Sequence, residues 1–189
     1  MSAITSAAAY CQALEEQQQY LAFMLSGETY SISILRIKEI IQYGRLTELP
    51  RLPAFIRSVI NLRGAVVPVI DLSARFGKPS ISAGRHNGII ILELAIGEET
   101  HNVGVMVDAL NAVLEISDSE IEPVPAFNAD IRSEFIAGMS KINGKFVNIL
   151  NIQQVLSMED MAALATLGSA STAELTQVSS YKVSLYAGA

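Results

Sequence analysis

The sequence predicts a mostly β protein made of two similar small barrels that pack against each other. One observation is the alternation of apolar and polar side chains, clearest where Tyr30, Ile32 and Ile34 alternate with serines, because residues two apart share one face of a strand. The other observation is an internal repeat. Each copy offers only a few short strands, too few for independent stability, so we expect an apolar seam shared by the two barrels.

The internal repeat relates two segments at one constant offset of 80 residues (135 minus 55). The matching residues are Phe55-Ile56, Gly64, Val67, Val69-Ile70 and Asp71-Leu72 in the first copy, and Phe135-Ile136, Gly144, Val147, Ile149-Leu150 and Asn151-Ile152 in the second. A weaker match at an offset of 73 (105 minus 32) places Ile32, Ile34, Ile37, Ile40 and Ile41 on Val105, Val107, Leu110, Val113 and Leu114. Either one unit is present twice, or strands rich in Ile and Val match by chance.

Length and composition limit the classes of protein that need to be considered. A chain of 189 residues with 50% hydrophobic residues can bury a core and fits one domain or two small ones. The net charge of -6 repels phosphate backbones, so we expect no nucleic-acid partner. The lone Cys11 cannot form an internal disulfide, and the chain shows neither a leader pattern nor an apolar run of membrane-spanning length. We therefore expect a cytoplasmic protein without direct membrane insertion.

The first expected element is a β-hairpin. Residues 20–25 form a short apolar run, Ser26-Gly27-Glu28 is a turn signal, and residues 30–34 alternate at the strand period. After the hairpin, isoleucines at helical spacing predict one short amphipathic helical turn, at Ile34, Ile37, Ile40 and Ile41. Lys38 and Glu39 would then share its polar face.

Prolines and glycines divide the next stretch. Pro53 ends a connection, residues 54–60 are compatible with one helical turn, and Asn61-Leu62-Arg63-Gly64 precedes the apolar run 65–72. Pro68 lies inside that run and lacks the amide hydrogen that a sheet uses, which predicts an edge or bulged position.

The rest of the chain continues the same alternation of strands and turns. Residues 89–94 and 103–107 are strand-like, and Asn143-Gly144 is the strongest tight-hairpin signal in the chain. Ser157 with Asp160 forms a variant capping box that predicts a C-terminal helix, with apolar positions at Met161 and Leu164.

The two copies of the repeat differ at one turn, and this difference indicates function. The second copy has an ordinary Asn-Gly turn, whereas the first has Arg63-Gly64, and such a turn needs only the glycine and a tolerant neighbour. Arg63 offers a planar fork of donors suited to a carboxylate, and Glu39 is the nearest candidate. The alternative interpretation is a solvated loop arginine that contributes little.

Catalytic, metal and cofactor sites are not indicated. His86 and His101 fall in expected loops without a partnered Ser or Cys, so no nucleophile has a base beside it. One cysteine and two separated histidines cannot close a zinc site, and the glycines are too scattered for a phosphate-binding loop. Asp71 and Asp108 are interpreted as structural, because the repeat counterpart of Asp71 is an asparagine. We predict a protein that is not an enzyme and that uses no cofactor.

These residues together resemble the CheW family. The resemblance rests on five segments in the family's order and approximate spacing, Tyr30–Ile34, Ile37–Ile40, Pro53–Ile56, Val59–Gly64 and Val67–Leu72. Asn-Leu-Arg-Gly alone is a weak motif, but it is specific between the Phe-Ile segment and Val-Pro-Val-Ile-Asp-Leu. Further matches extend the resemblance over about residues 18–165, at Val105–Asp108, Ile121–Pro125, Phe135–Gly138 and Ser157–Met161.

The resemblance implies a fold of two five-stranded SH3-like barrels around a common core, with short helices that include a C-terminal one. It divides the chain into a flexible N-terminal segment, a CheW-like domain and a flexible tail, at residues 1–17, 18–165 and 167–189. Within the domain we expect the first barrel, the second barrel and the C-terminal helix at about residues 18–85, 86–152 and 153–166.

The resemblance also implies a function. CheW-like proteins are non-enzymatic adaptors that bind the regulatory domain of a CheA-type histidine kinase and the cytoplasmic tip of methyl-accepting chemoreceptors. The resemblance adds other CheW-like domains in array rings as further partners. It also implies a cytoplasmic protein that is recruited to membrane-associated arrays. Glu39 and Arg63 match a functionally important acid and base of the family. The further binding residues that it implies are Ile37, Lys38 and Asn61 near this pair, Ser58 at the kinase contact, and Ile89 in the receptor-facing groove.

Two departures and several alternatives accompany the resemblance. Ser31 and Ser58 stand where the family commonly has glycine, which a serine tolerates unless positive φ or close approach is required. A regulator of another output, such as pili or second messengers, fits the same sequence. Two alternatives come from other classes of protein: a small enzyme on the same fold, and a self-assembling ring component. A CheV-like protein would need a receiver domain, for which no segment remains after residue 165.

Overall fold

The computed structural model describes residues 17–44, 46, 53–82, 84–125, 133–156 and 160. The described chain is built from ten strands: β1 Gln17–Leu25, β2 Glu28–Ser33, β3 Ile37–Gln42, β4 Ile56–Leu62, β5 Ala65–Asp71, β6 Gly88–Ile96, β7 Glu99–Val107, β8 Ala109–Ser117, β9 Ile136–Ile142 and β10 Lys145–Leu150. Two short helices follow the repeated hairpins, the first at Leu72–Arg75 and the second at Ile152–Val155. Three turns of 3-10 helix lie at Ile34–Arg36, Asp118–Glu120 and Ser133–Phe135.

The strands form two five-stranded sheets, and each sheet takes strands from both halves of the chain. Sheet A has the order β8-β1-β2-β10-β9, and sheet B has the order β3-β6-β7-β5-β4. The first hairpin of each half thus completes the sheet of the other half. The sheets therefore do not follow the expected barrel boundaries at residues 18–85 and 86–152, because those boundaries assumed that each barrel is one continuous segment.

Two parallel pairings make this exchange of hairpins possible. Strand β2 pairs with β10, with Tyr30 opposite Asn148, and β5 pairs with β7, with Val69 opposite Gly104. The other strand pairs within the described residues are antiparallel. The β3-β4-β5 and β8-β9-β10 series occupy equivalent positions in the two sheets, as the offsets of 80 and 73 residues predict.

One apolar core extends across both sheets, which confirms the expected shared seam. It includes Phe23 and Tyr30 from sheet A and Val69, Ile90 and Val105 from sheet B. Strand β6 is buried on both faces from Ile89 to Leu92, as its continuous apolar sequence requires. A smaller buried apolar cluster is formed by residues of sheet A, namely Tyr20, Ile116 and Ile149. The fold is mostly β, with two SH3-like five-stranded subdomains.

The tight turns lie where the sequence predicts them. Three hairpins turn on the dipeptides Ser26-Gly27, Arg63-Gly64 and Asn143-Gly144, and both residues of each have positive φ. A two-residue turn of this kind matches the right-handed twist of the strands that it joins.

The segment after the first hairpin is a strand, and the expected amphipathic helical turn there is wrong. One turn of 3-10 helix is followed by β3, which pairs with β6 from Ile37 to Gln42. Residues 54–60 are likewise not helical, because a turn at 54 and 55 leads directly into β4. In both segments, β-branched residues favour the extended conformation and find a neighbouring strand to pair with.

Pro68 occupies an internal strand and is regularly paired, while the register shift of the β4–β5 hairpin lies between Ile56 and Ser58, so the expected edge or bulged position is wrong. Strand β5 lies between β4 and β7. Pro68 is opposite Val59 of β4, and the parallel pairing with β7 begins at Val69, one residue after the proline. The position that lacks an amide hydrogen therefore lies just before the hydrogen-bonded pairing between β5 and β7 begins.

Some expectations lie outside the described residues. These are the flexible ends, and most of the C-terminal helix with its capping residue Ser157 and its apolar positions Met161 and Leu164; Asp160 is described. Within the described chain, no helix is long and apolar enough to cross a membrane.

Candidate functional site

Glu39 and Arg63 join the two edge strands of sheet B. Glu39 lies on β3, and Arg63 lies in the turn after β4, which are the first and last strands of the sheet order. The Arg63 Nη2 donates to Glu39 Oε2 at 3.3 Å. The structure thus brings together the acid and the base that the sequence singles out.

The backbone at Arg63 is an unfavourable one for an arginine. Arg63 has a φ of +52° and Gly64 a φ of +86°, and the left-handed region costs a residue with a side chain about 1 kcal/mol or more. The turn is stabilised by Asn61, whose Oδ1 accepts the Gly64 amide at 2.9 Å. At the equivalent place the second half has Asn143 with a φ of +51°, a residue that tolerates this conformation. The fold alone therefore favours Asn over Arg.

The ion pair itself leaves hydrogen-bonding capacity on both sides. The Arg63 side chain is 77% exposed and that of Glu39 is 22% exposed. Glu39 Oε1 is buried and has no hydrogen-bond partner within the described part of the chain. A single contact by so exposed an arginine contributes at most about 1 kcal/mol to stability. The pair is thus better suited to presenting a donor fork and an open acceptor than to holding the fold together.

Lys38 points away from Glu39, which corrects the expectation that the two share one polar face. Lys38 is exposed on the outer side of β3, where its Nζ donates to Asn102 at 3.4 Å and lies 3.9 Å from Glu93. Glu39 is on the half-buried side with Ile37 and Ile41. In a strand, consecutive side chains alternate between faces, whereas a helical turn would have grouped them.

Two of the expected binding residues are inside the protein. Ser58 on β4 is fully buried, and Ile89 on β6 is 1% exposed and lies opposite Ile41 and Met106. Their side chains therefore cannot contact a partner in this conformation, because neighbouring strands cover them. Ile37 is half-buried against the core. Asn61 is exposed, and its side-chain oxygen accepts the Gly64 amide within the turn.

Several exposed apolar side chains were not predicted from the sequence. Ile40 on β3 is 45% exposed, and Leu35 in the preceding 3-10 turn is more exposed still. Val113 and Phe146 are exposed on sheet A. At Ile40 the signal was present, because Lys38, Ile40 and Gln42 alternate outward at the strand period.

An open groove lies between the two sheets, where β3 of sheet B approaches β8 of sheet A. Its sides are the end of β3, the loop before β6 and the start of β8, and its lining residues include Ile40, Ile41, Arg85, His86 and Leu110. Of these residues, Ile41 and Leu110 are half-buried, whereas Ile40, Arg85 and His86 are exposed. Strand β3 carries both Glu39 and one wall of this groove.

The carboxylates considered as paired acids have structural partners instead. Asp71 is fully buried, and its two oxygens accept the amides of Ala74 at 3.1 Å and Ile81 at 2.9 Å. Asp108 Oδ2 accepts the Ser26 amide at 2.7 Å. The described residues include no group of three or more His, Cys, Asp or Glu side chains that could hold a metal ion.

Comparison with known proteins adds the family. The family model "CheW-like domain" matches residues 19–160. The chain is 34% identical to the chemotaxis protein CheW of Klebsiella aerogenes over 145 residues, which cover 77% of this chain and 85% of that protein. It is 26% identical to Protein FrzA of Myxococcus xanthus over 151 residues, 79% of this chain and 91% of that one.

A solved structure gives the same result. The crystal structure of the scaffolding protein TtCheW from Thermoanaerobacter tengcongensis superposes with a TM-score of 0.68 at 31% identity, over 76% of this chain and 90% of that chain. The sequence match and the shared fold agree, and the chain belongs to the CheW-like family.

Proposed function

We propose that this chain is a non-enzymatic adaptor that couples methyl-accepting chemoreceptors to a CheA-type histidine kinase in chemotaxis signal transduction. It acts in the cytoplasm, at membrane-associated receptor arrays. Family membership supports the adaptor role. The observation that carries the site is Arg63, an exposed arginine in a left-handed turn position that Asn would fill with less strain.

The kinase regulatory domain is proposed to bind at the Glu39–Arg63 edge of sheet B. Arg63 keeps most of its donor fork exposed, and Glu39 Oε1 is an acceptor without a partner in the described chain. A partner that supplies a carboxylate to the arginine and a donor to Glu39 satisfies both groups at once. Charge-assisted hydrogen bonds of this kind contribute about 1.5–3 kcal/mol each, enough for specific but reversible association.

The receptor tip is proposed to bind in the groove between the sheets. The groove combines the half-buried apolar side chains of Ile41 and Leu110 with the exposed side chains of Arg85 and His86. Such a surface suits an amphipathic helical hairpin that places apolar side chains inward and acidic ones outward. Strand β3 carries Glu39 and lines the groove with Ile40 and Ile41, so one strand contributes to both proposed surfaces.

Calorimetry against the regulatory domain of the CheA-type kinase from the same genome tests the kinase site. We expect saturable binding that Arg63→Asp weakens at least tenfold. The matched control is Asn143→Asp, which places the same residue at the equivalent turn of the other half and should leave the affinity unchanged. Equal loss of affinity in both variants, or none in either, would remove the kinase site from this edge.

A second titration tests the receptor site with the isolated receptor hairpin tip. Ile40→Ser should weaken binding of the tip, whereas Val113→Ser, at the repeat-equivalent exposed position (113 minus 40 is 73), should not. Undiminished binding by Ile40→Ser would exclude this groove.

A scaffold of another chemosensory pathway, such as one that controls pili or second messengers, is the alternative function. This alternative is supported by the similarity to Protein FrzA of Myxococcus xanthus, a relative that does not carry the name CheW. Titrating the chain against the regulatory domain of every CheA-type kinase in its genome separates the two. Preference for a kinase outside the flagellar system would select the alternative.

A further inference from the structure

Arg75 contacts both halves of the protein from the end of the first short helix. Its Nε donates to the Val155 carbonyl at 2.6 Å, and its Nη2 lies 2.9 Å from Asp160 Oδ2. Arg75 and Asp160 are only 18% and 16% exposed. Asp160 is thus attached, through a residue of the first half, to the seam between the sheets.

The same guanidinium lies over two aromatic rings. Its central carbon is 4.9 Å from the ring centroid of Phe55 and 5.4 Å from that of Phe135. Phe55 and Phe135 are repeat equivalents (135 minus 55 is 80), and so are Arg75 and Val155 (155 minus 75 is 80). Arg75 therefore lies between equivalent residues of the two halves. Its own repeat equivalent, Val155, carries no charge.

These contacts depend on the guanidinium and not on positive charge alone. Bonding the Val155 carbonyl through Nε while Nη2 faces Asp160 requires donors pointing in two directions within one plane. The two ring contacts add cation–π attraction, which is stronger where water is excluded. Removing the arginine would leave a poorly exposed Asp160 carboxylate without this cation, which is costly for a desolvated charge.

We propose that Arg75 is a conformational latch, which links attachment of the chain at Asp160 to the contact between the two halves. With Asp160 bound, the guanidinium is held over both rings and against the second short helix. Release of Asp160 frees one side of that guanidinium, so the attachment and the seam open together. The latch involves neither the Glu39–Arg63 edge nor the groove, and it is independent of the proposed function.

Hydrogen–deuterium exchange on the full chain tests the latch. In Arg75→Met, which keeps side-chain bulk, we expect exchange to become roughly tenfold faster in peptides covering residues 152–160, 55–57 and 135–137, in accord with the loss of charge-assisted contacts. Asp160→Asn should accelerate the same three regions by a smaller factor, while Arg75→Lys should fall between wild type and Arg75→Met. The β6 peptides should be unchanged, and the exposed Arg36→Met should leave all regions unchanged.

Two results would overturn the latch. One is acceleration in Asp160→Asn confined to residues 152–160, which would make the ion pair a local attachment without linkage to the seam. The other is uniform acceleration that includes β6, which would make Arg75 a general contributor to stability. If Arg75→Met does not fold, Asp160→Asn and Arg75→Lys provide the same comparison.

Discussion

Lys78 lies 2.8 Å from the carboxylate of Glu28 and joins the β1–β2 hairpin of sheet A to the chain after the first short helix. The Tyr30 hydroxyl donates to the same Glu28 oxygen at 2.6 Å. The hydrogen bond from Lys78 is the largest cause that lowers the pKa of Glu28, the bond from Tyr30 is the next, and partial burial opposes both. A carboxylate with a lowered pKa links the packing of the two sheets to pH.

Acid should therefore weaken the wild type more than a variant without this carboxylate. Because the pKa of Glu28 is lower in the folded state than in the unfolded state, its stabilising contribution is present above about pH 5 and is lost as the pH falls through the folded pKa. In Glu28→Gln we expect a smaller drop in urea midpoint between about pH 6 and pH 3. Parallel pH profiles for the two proteins would show that the pair does not stabilise the fold.

Arg63→Asn should leave the fold equally stable or more stable by up to about 1 kcal/mol, because Asn accepts positive φ and the Glu39 contact is weak. Chemical unfolding measures the change, with Asn143→Arg as the reciprocal variant, which should lose a similar amount. A loss of more than about 2 kcal/mol in Arg63→Asn would identify the ion pair as a structural tether.

Ser58→Ala should be neutral or stabilising by about 1 kcal/mol, because the Ser58 hydroxyl is fully buried and has no partner in the described chain. Gly138 is its repeat equivalent (138 minus 58 is 80), and a Cβ there would clash with the Ile121 side chain and lie 3.1 Å from the Glu122 carbonyl. Gly138→Ser should cost about 1–3 kcal/mol. Thermal melting of both variants checks the pair, and equal effects would contradict the packing described for the two halves.

Val69→Asp should prevent folding. Val69 is fully buried at the junction of β5 and β7, opposite Gly104, and an unpaired carboxylate there costs several kcal/mol. Circular dichroism and solubility measure the loss, and Val69→Ala is the control, expected to lower the melting temperature but to retain the β-sheet signal. A near-normal melting temperature for Val69→Asp would mean that the strand faces are assigned wrongly.

Local patterns predicted the turns and the ion pair, because each depends on a few neighbouring residues. The Asn143-Gly144 hairpin and the extra arginine at Arg63 were both visible from the sequence. Strand β3 was mispredicted because Glu39 takes an inward position and Ile40 an outward one, so that the isoleucines imitate helical spacing. The residue that breaks the strand pattern is a member of the candidate site, where functional demands most often override local preference.

The long-range features had no local signal. The exchange of hairpins pairs β2 with β10 and β5 with β7. Neither pairing is indicated by a pattern among residues that are adjacent in sequence. The burial of Ser58 on β4 likewise had no signal in the neighbouring residues, whereas the burial of Ile89 agrees with the continuous apolar sequence of β6. The contacts of Arg75 with Val155 and Asp160 likewise bring together residues that are distant in sequence.

The exchange of hairpins also fixes the order in which a new chain can mature. Sheet A contains β1 and β2 from the first half and β8, β9 and β10 from the second. Sheet B contains β6 and β7 from the second half. Neither sheet is complete in the first half as it leaves the ribosome, and such distant pairings slow folding. The β1–β2 hairpin therefore lacks its neighbours β8 and β10 for most of synthesis, and the two halves, expressed as separate chains, should fold only when they meet.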